Sequence, residues 1–219
     1  MHAEIGGKTV SRKYTPISLV NQKGSATFII KIYREHPDFP GGGAFTQHLE
    51  NNVQVGDSIM CEGPIGKLKY FGHGKFAVLK KELKPKTKLG LLAGGTGITP
   101  LLAVALASNY AQDGLDVKLL FSNKTKDDVL CKTEIDALAA KFPDTFKAFH
   151  TLTRHNDNDH GEWDGLRGRV TPEMLKQCGF ADPADDVFVF VCGPSAFGKH
   201  CNSVMEEMGY QAGENFMAK

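Results

Sequence analysis

The chain has 219 residues, of which 41% are hydrophobic, so it can bury one large core or two modest ones. Its net charge of +1 argues against a nucleic-acid-binding protein, since duplex binding usually requires a strong basic excess. Residues 1–84 hold 12 Lys and Arg against 7 Asp and Glu, whereas residues 85–219 hold 14 against 18, and this contrast predicts two domains.

The first half, residues 1–84, has the pattern of β-structure. Strand-like segments separated by glycine-containing turns lie at residues 8–15, 26–33, 57–63 and 75–80. One short helix is predicted among them, at AFTQHLENN (44–52). The pattern predicts a small antiparallel barrel or sandwich. The charged segment KKELKPKTK (80–88) is the best candidate for a linker.

The stretch from Leu89 to Gln112 carries no charge and is long enough for a membrane span. Its four glycines and its proline instead predict a strand at 88–94, a glycine-rich turn and a helix at 99–112, so we predict no membrane segment. Thr99 is the predicted N-cap, and Pro100 is the predicted first helical residue. A helix that begins after such a turn offers free backbone N–H groups to an anion, although tight strand–helix packing explains the same pattern.

The second half, residues 85–219, alternates strands with helices. Further strands are predicted at 116–122, 146–153 and 186–193, further helices at 127–141, from Thr171–Pro172 and at 195–208, and a polar loop at 155–168. Repeated strand–helix units imply a parallel sheet with helices on both faces. Ligands bind such sheets beyond the carboxyl ends of the strands, where GGTGIT and CGPSAF lie.

Cationic and aromatic side chains recur two residues apart in the first half. Arg12 and Tyr14 share one face of a predicted strand, and Lys31 and Tyr33 repeat the arrangement. PGGGAFTQHL (40–49) is a second glycine-rich turn that leads into a helix and suits an anion. Each feature alone fits a solvated cation beside a half-buried aromatic ring. Together they suit a large planar ligand that carries a pyrophosphate.

Cys192 ends an apolar strand at a predicted helix N-terminus. It is there either to touch a ligand or as a small buried hydrophobe, the commonest role of a free cysteine. The five cysteines are scattered and include no CxxC pair, which indicates a reducing compartment such as the cytoplasm and argues against a zinc or iron–sulfur site. His155, His160 and the acids between them have the composition of a metal cluster, but we interpret them as a solvated loop.

Four motifs, in the order RKYTP, GGGAFTQHL, GGTGITP and CGPSAF, resemble the NADH–cytochrome b5 reductase family, which includes the flavin domain of nitrate reductase. This family belongs to the ferredoxin-reductase superfamily, and the resemblance covers nearly the whole chain. It implies an antiparallel β-barrel that binds FAD in residues 1–84 and a Rossmann-like domain that binds NADH, or NADPH, in residues 85–219. The implied activity is hydride transfer to the flavin, followed by single-electron transfer to a cytochrome b5-type haem protein or a fused haem domain.

The resemblance also implies the site residues, with Thr15 and Cys192 beside the reacting rings. The implied FAD-binding residues are Arg12, Tyr14, Thr15, Ile30, Lys31, Tyr33, Gly42, Gly43, Ala44, Phe45 and Thr46. The implied residues for the nicotinamide nucleotide are Gly95, Thr96, Gly97, Thr99, Pro100, Ser122, Asn123, Lys124, Thr153, Arg154, Cys192, Gly193, Pro194 and Phe197. Lys67, Lys69 and Lys75 lie close together in sequence and would suit an acidic cytochrome, or they form an ordinary solvated face.

The chain departs from the family pattern in three places. The strands that usually precede RxYTP are absent, so we expect either a fragment or a barrel completed in another way. Thr153 stands where members that prefer NADH carry an acidic residue. The threonine removes the repulsion that an acid would exert on the 2′-phosphate of NADPH, and Ser122, Asn123 and Lys124 could accept that phosphate. The resemblance still favours NADH slightly. CGPSAF replaces the usual CGPPPM, so Phe197 reshapes the mouth of the nicotinamide pocket.

Two further hypotheses remain open at the level of sequence. The chain could be the flavin domain of a larger nitrate reductase. It could also be a catalytically silent nucleotide-binding module with an incomplete barrel, although the intact RKYTP motif and Cys192 argue against that hypothesis.

Overall fold

Short antiparallel hairpins organise the first half of the chain. The computed structural model describes residues 1–19, 21–37 and 39–218, without the side chains of residues 159 and 160. The elements of this half are β1 (His2–Ile5), β2 (Lys8–Ser11), α1 (Ala44–Asn52), β3 (Leu68–Gly72), β4 (Lys75–Val78) and β5 (Lys81–Glu82). β1 pairs antiparallel with β2, and β3, β4 and β5 form a second antiparallel sheet. The prediction of an antiparallel β domain is therefore confirmed, and α1 has its predicted bounds.

The segment 26–33, predicted as a strand, forms no ladder in the structure. Its backbone groups instead form single hydrogen bonds with neighbouring backbone and side-chain groups. The Ile17 N–H donates to the Thr27 carbonyl at 2.8 Å, and the Tyr33 N–H donates to Thr46 Oγ1 at 3.1 Å. The strand prediction was wrong because apolar alternation indicates which side chains are buried, not whether a partner strand lies alongside.

The other strand predictions in this half need smaller corrections. The segment 57–63 forms no strand and has only an isolated bridge between Met60 and His2. β4 ends two residues early because Leu79 and Lys80 turn with φ angles of 52° and 72°. β2 likewise ends four residues earlier than predicted.

The second half is a parallel sheet interleaved with helices. Its elements are β6 (Lys88–Gly94), α2 (Ile98–Tyr110), β7 (Asp116–Asn123), α3 (Lys132–Lys141), β8 (Phe146–Leu152), α4 (Asp157–His160), β9 (Leu166–Arg167), α5 (Pro172–Gln177), β10 (Val187–Cys192), α6 (Ser195–Glu207) and β11 (Phe216–Ala218). The strand order is β11-β10-β6-β7-β8-β9, and every pair is parallel. This confirms the predicted parallel sheet.

Both faces of this sheet are covered, which explains why its strands are almost continuously apolar. Leu91 and Leu119 face a core cluster that includes residues of α2 and α3. The adjacent Leu92 and Leu120 face a second cluster that includes residues of α5 and α6. Among the described residues, no helix is both long enough and apolar enough to span a membrane.

The start of α2 differs from the prediction. The N-cap is Gly97 rather than Thr99, and Pro100 is the third helical residue rather than the first. The cause is a 3-10 turn at Gly95–Gly97 that leads directly into the helix, because Gly97 already has helical dihedral angles. Pro100 is tolerated because the first N–H groups of a helix have no intrahelical partner.

Two other segments of the second half differ in detail. The helix predicted at 127–141 begins at Lys132, because Thr125 and Asp128 form a capping box around a separate 3-10 turn and Cys131 is left-handed (φ 56°). The loop predicted at 155–168 contains α4 and β9. The prediction for α5 is confirmed, since Thr171 Oγ1 accepts the Met174 N–H at 3.2 Å.

The two halves share one hydrophobic core. Phe76 of β4 is 1% exposed and lies 5.5 Å from the ring of Phe190 in β10. Val78 and Ile17 belong to the same cluster as the apolar side chains of β6 and α2. The segment 80–88, predicted as a linker, is therefore part of the folded structure, since it contains β5. The division into residues 1–84 and 85–219 remains a prediction.

Gly74 provides a test of how closely the two halves are joined. Its φ is +69°, and a Cβ atom there would overlap the Lys86 carbonyl. Gly7 has a similar φ of +72° but open space around it. Gly7→Ala should lower the free energy of unfolding by about 1 kcal/mol through the left-handed backbone alone. Gly74→Ala should cost about 2 kcal/mol more because the backbone must also move. Equal losses in urea denaturation would contradict the tight crossing.

Candidate functional site

Two glycine-rich strand tips meet at the carboxyl edge of the parallel sheet. β6 and β10 are neighbours, with Ala93 opposite Cys192, so the turn at Gly94–Gly97 lies beside Cys192–Gly193. A Cβ atom on Gly97 would overlap the Cys192 carbonyl, so only glycine permits this approach. Carboxyl ends of parallel strands are the usual ligand edge of such sheets.

Phe197 packs onto these tips from the first turn of α6. A Cβ atom on Gly94 would lie 2.8 Å from the Phe197 ring, and one on Gly193 would lie 2.6 Å from it. The ring therefore covers the glycine surface instead of projecting into solvent. The N-cap of α6 is Pro194, without a side-chain hydrogen bond, so the N-terminus of this 13-residue helix remains suited to an anion.

A second cluster gathers most of the residues predicted to hold FAD. The Gly43 N–H donates to the Tyr33 carbonyl at 2.7 Å, and Thr46 Oγ1 donates to the Gly43 carbonyl at 3.1 Å. The Tyr14 ring lies 5.7 Å from the Phe45 ring. Burial raises the pKa of Tyr14, and nearby Arg12 opposes that shift.

Other members of the predicted FAD set lie at the margin of this cluster. The Arg12 side chain is exposed and donates to the adjacent Ser11 carbonyl at 2.8 Å. Thr15 and Ile30 are half-buried, and so are Gly42 and Gly43, whereas Ala44 is exposed. A Cβ atom on Gly43 would lie 2.6 Å from Thr46 Oγ1, so the turn closes tightly on α1.

Lys31 reaches across to the second half of the chain. Its Nζ donates to Asp128 Oδ1 at 2.9 Å, although the two residues are 97 positions apart. Burial raises the pKa of Asp128, but the Lys31 hydrogen bond and charge, with two hydrogen bonds from Thr125, lower it overall. This pair joins the predicted flavin side to the loop after β7.

The tips of β7 and β8 bring together the residues predicted to select the nucleotide. The Thr153 N–H donates to the Asn123 carbonyl at 2.9 Å, and the Arg154 N–H donates to the Lys124 carbonyl at 2.8 Å. Lys124, Thr153 and Arg154 are exposed, whereas Ser122 is buried. Asn123 is 6% exposed, and its side-chain amide has no hydrogen-bond partner among the described residues.

Sequence reasoning missed Asp128 and Trp163. The TKDD segment has the capping-box spacing of Thr125 and Asp128, so the turn could have been predicted from the sequence. The pairing of Asp128 with Lys31 could not. Trp163 lies 6.4 Å edge-on from the half-buried His150 and donates to the Leu166 carbonyl at 3.0 Å. In the segment 155–168, whose histidines and acids have the composition of a metal cluster, His155 Nε2 lies 2.8 Å from the Gly161 carbonyl oxygen. The His160 side chain lies outside the described residues.

Comparison with known proteins decides the family. Models of an oxidoreductase FAD-binding domain and an oxidoreductase NAD-binding domain match residues 1–70 and 91–203. NADH-cytochrome b5 reductase 2 of Xenopus laevis is 36% identical over 225 residues, which cover 99% of this chain and 74% of that protein. The chain belongs to the NADH–cytochrome b5 reductase family.

Two further relatives place this family member beside nitrate reductases. The NADH nitrate reductase of Volvox carteri is 40% identical over 95% of this chain, but the match spans only 24% of that protein. The cytochrome b5 reductase domain of Ulva prolifera nitrate reductase superposes with a TM-score of 0.90 at 30% identity, covering 100% of this chain and 82% of that one. The chain is therefore an oxidoreductase that binds FAD and a nicotinamide nucleotide.

The residues present fit both cofactors of this family. On the flavin side, the exposed Arg12 guanidinium and the packed Gly42–Gly43 turn suit a pyrophosphate. On the nucleotide side, Gly97 permits the close approach of the two strand tips, and the buried amide of Asn123 leaves a donor and an acceptor for a partner.

The Lys31–Asp128 pair predicts a pH dependence. Because the pKa of Asp128 is lowered in the folded chain, its contribution to stability is present above about pH 4 and is lost as the pH falls below that value. Asp128→Asn should lower the free energy of unfolding by about 1 kcal/mol at pH 7. The difference from wild type should shrink in urea denaturation at pH 3.5. A constant difference would contradict the pairing, and the adjacent exposed Asp127→Asn serves as the control.

Proposed function

We propose that the chain is a reductase that takes hydride from NADH, and also from NADPH, and passes single electrons to a cytochrome b5-type haem. The observation that carries the proposal is the contact between the tips Gly94–Gly97 and Cys192–Gly193, a surface of glycine backbone that is open at Gly95 and is lined by the Phe197 ring at Gly94 and Gly193. A flat nicotinamide ring needs such a surface to lie parallel to a second ring.

On the flavin side, the proposed roles follow from charge and burial. Arg12 neutralises the pyrophosphate with its guanidinium, and the turn at Gly42–Thr46 caps the phosphates with the N–H groups of the first turn of α1, since those of Gly42 and Gly43 already donate to protein carbonyls. The Tyr14 hydroxyl stays protonated because burial raises its pKa, so it can donate a hydrogen bond near the flavin. FAD, when bound, accepts a hydride and can release its electrons one at a time.

On the nucleotide side, the protein's contribution is alignment. We assign Thr15 to the flavin edge and Cys192 to the nicotinamide face, with Thr96 and Thr99 between them. Thr99 is held in place because its hydroxyl donates to the Thr96 carbonyl at 3.3 Å. Holding two reactants in a reactive geometry supplies the rate without a dedicated acid–base pair.

The direct test is the visible spectrum of the purified chain with FAD, followed anaerobically after NADH or NADPH is added. We expect a flavin band that bleaches with either nucleotide. A chain that takes up no FAD, or a bound flavin that neither nucleotide bleaches, would contradict the proposal and favour a silent nucleotide-binding module.

The tips of β7 and β8 support the use of NADPH beside NADH. The backbone pairing sets Lys124 next to Arg154, and Thr153 presents a neutral hydroxyl that donates to the Asn123 carbonyl at 3.2 Å. Two cations and a neutral side chain accept a 2′-phosphate, which an acid at position 153 would repel.

Substitution of Thr153 tests this assignment. Thr153→Asp should lower kcat/KM for NADPH relative to NADH by at least about tenfold, because like charges in contact cost several kcal/mol. Thr153→Asn is the uncharged control and should leave the ratio within about threefold. Steady-state rates with both nucleotides measure the effect. An unchanged ratio in Thr153→Asp would place the 2′-phosphate elsewhere.

The proposal of a b5-type haem acceptor is supported by the family to which the chain belongs and by one basic face. Lys67 and Lys69 are exposed and flank inward-facing Leu68, Phe71 is 57% exposed, and Lys75 is exposed on β4.

We expect reduction of an acidic b5-type haem protein to slow when salt is added and when Lys67, Lys69 and Lys75 are changed to Glu. Reduction of a small neutral quinone should be unchanged. Equal slowing after Lys147, Lys176 and Lys199 are changed to Glu would contradict docking at this face.

We also propose a reducing compartment, the cytoplasm. The support is that all five cysteines are thiols rather than disulfides. A native chain found in an oxidising compartment by fractionation would contradict this.

A further inference from the structure

A buried carboxylate joins the two halves of the chain at the end of the molecule away from the strand tips. Asp113 lies in the loop between α2 and β7, and its side chain is 1% exposed. It accepts a hydrogen bond from the Tyr70 hydroxyl, and its Oδ1 lies 3.5 Å from His73 Nδ1. Tyr70 and His73 belong to the β3–β4 hairpin, so both partners come from the other half.

The chemistry of this contact makes it specific in direction. A carboxylate removed from water is stable only where donors meet it, so Asp113 fixes where the hairpin must lie. Burial, with the hydrogen bond and charge of Asp113, raises the pKa of Tyr70, which keeps its hydroxyl a donor. The Asp113 N–H also donates to the Ser108 carbonyl at 3.1 Å, which ties the loop to the end of α2.

The helix α2 connects this contact to the proposed reaction site. It runs from the glycine turn at Gly95–Gly97 to Tyr110, three residues before Asp113. Thirteen residues of helix span about 20 Å, so a tilt of about 3° at the Asp113 end moves the other end by about 1 Å. A misplacement of that size can slow a reaction between two bound groups about a hundredfold.

We propose that Asp113 is a positioning residue for hydride transfer, holding α2 and the flavin half at a fixed angle so that the nicotinamide platform meets the flavin. This inference rests on the proposed function. The hydrophobic contact of Phe76 with Phe190 holds the halves together, whereas the Asp113 contact sets their orientation, because hydrogen bonds are directional and apolar packing is not.

The test uses Tyr70→Phe, which removes one hydroxyl, and Asp113→Asn, which removes the charge. Both variants should bind FAD fully and bind NAD+ within about twofold of wild type, yet reduce the flavin about 10 to 100 times more slowly in anaerobic stopped flow. The long-wavelength charge-transfer absorbance of reduced flavin beside NAD+ should weaken in parallel. The double variant should be no slower than the slower single variant, because both act through one contact.

Asp185→Asn is the matched control, since it removes another ion pair between the halves, with Lys84 at 2.9 Å, but the Asp185 side chain is 89% exposed. It should keep the wild-type rate. Wild-type rates and charge-transfer absorbance in Tyr70→Phe and Asp113→Asn would overturn the inference, and so would an equal loss in Asp185→Asn. A wild-type chain whose flavin is never reduced would overturn the proposed function itself, and this inference with it.

Discussion

The packing of the β3–β4 hairpin against the parallel sheet is the contact on which the rest of the structure depends. The hairpin is too short to bury its own apolar face, so Phe76 and Val78 enter the cluster formed by β6, β10 and α2. An apolar core of this kind holds two halves together without fixing their angle. The polar contacts that cross between them, at Asp113 and at Lys31, supply direction.

The parallel sheet was predictable because its strands and helices can be recognised from local sequence patterns. Strands buried on both faces must be almost wholly apolar. Thr171 and Pro172 mark the start of α5 in the sequence, whereas α2, α3 and α6 begin without a side-chain cap. The glycine turn before α2 misled the N-cap prediction because Thr99 and Pro100 imitate a helix start. A 3-10 turn at Gly95–Gly97 had already placed the backbone in helical geometry.

The first half was less predictable because its pairing partners are distant or absent. Alternation in residues 26–33 indicates burial, but the backbone hydrogen bonds of that segment go to Ser18, Ile17, Gly43 and Thr46 rather than to a ladder. The same limit applies to the site. Motifs and a family resemblance identify the strand tips, whereas Asp113 and Asp128 have ordinary local sequences and gain meaning only from partners 43 and 97 positions away.

The measurement that tests the central claim most directly is an experimental structure of the chain with FAD and NAD+ bound. The account predicts that the nicotinamide lies on the backbone of Gly94–Gly97 beside Cys192, stacked against a flavin held between Arg12, Tyr14 and the Gly42–Thr46 turn. It also predicts that Asp113 keeps its contact with Tyr70 in that state. A nicotinamide bound elsewhere, or a flavin too distant from it for hydride transfer while both cofactors are fully bound, would contradict the account.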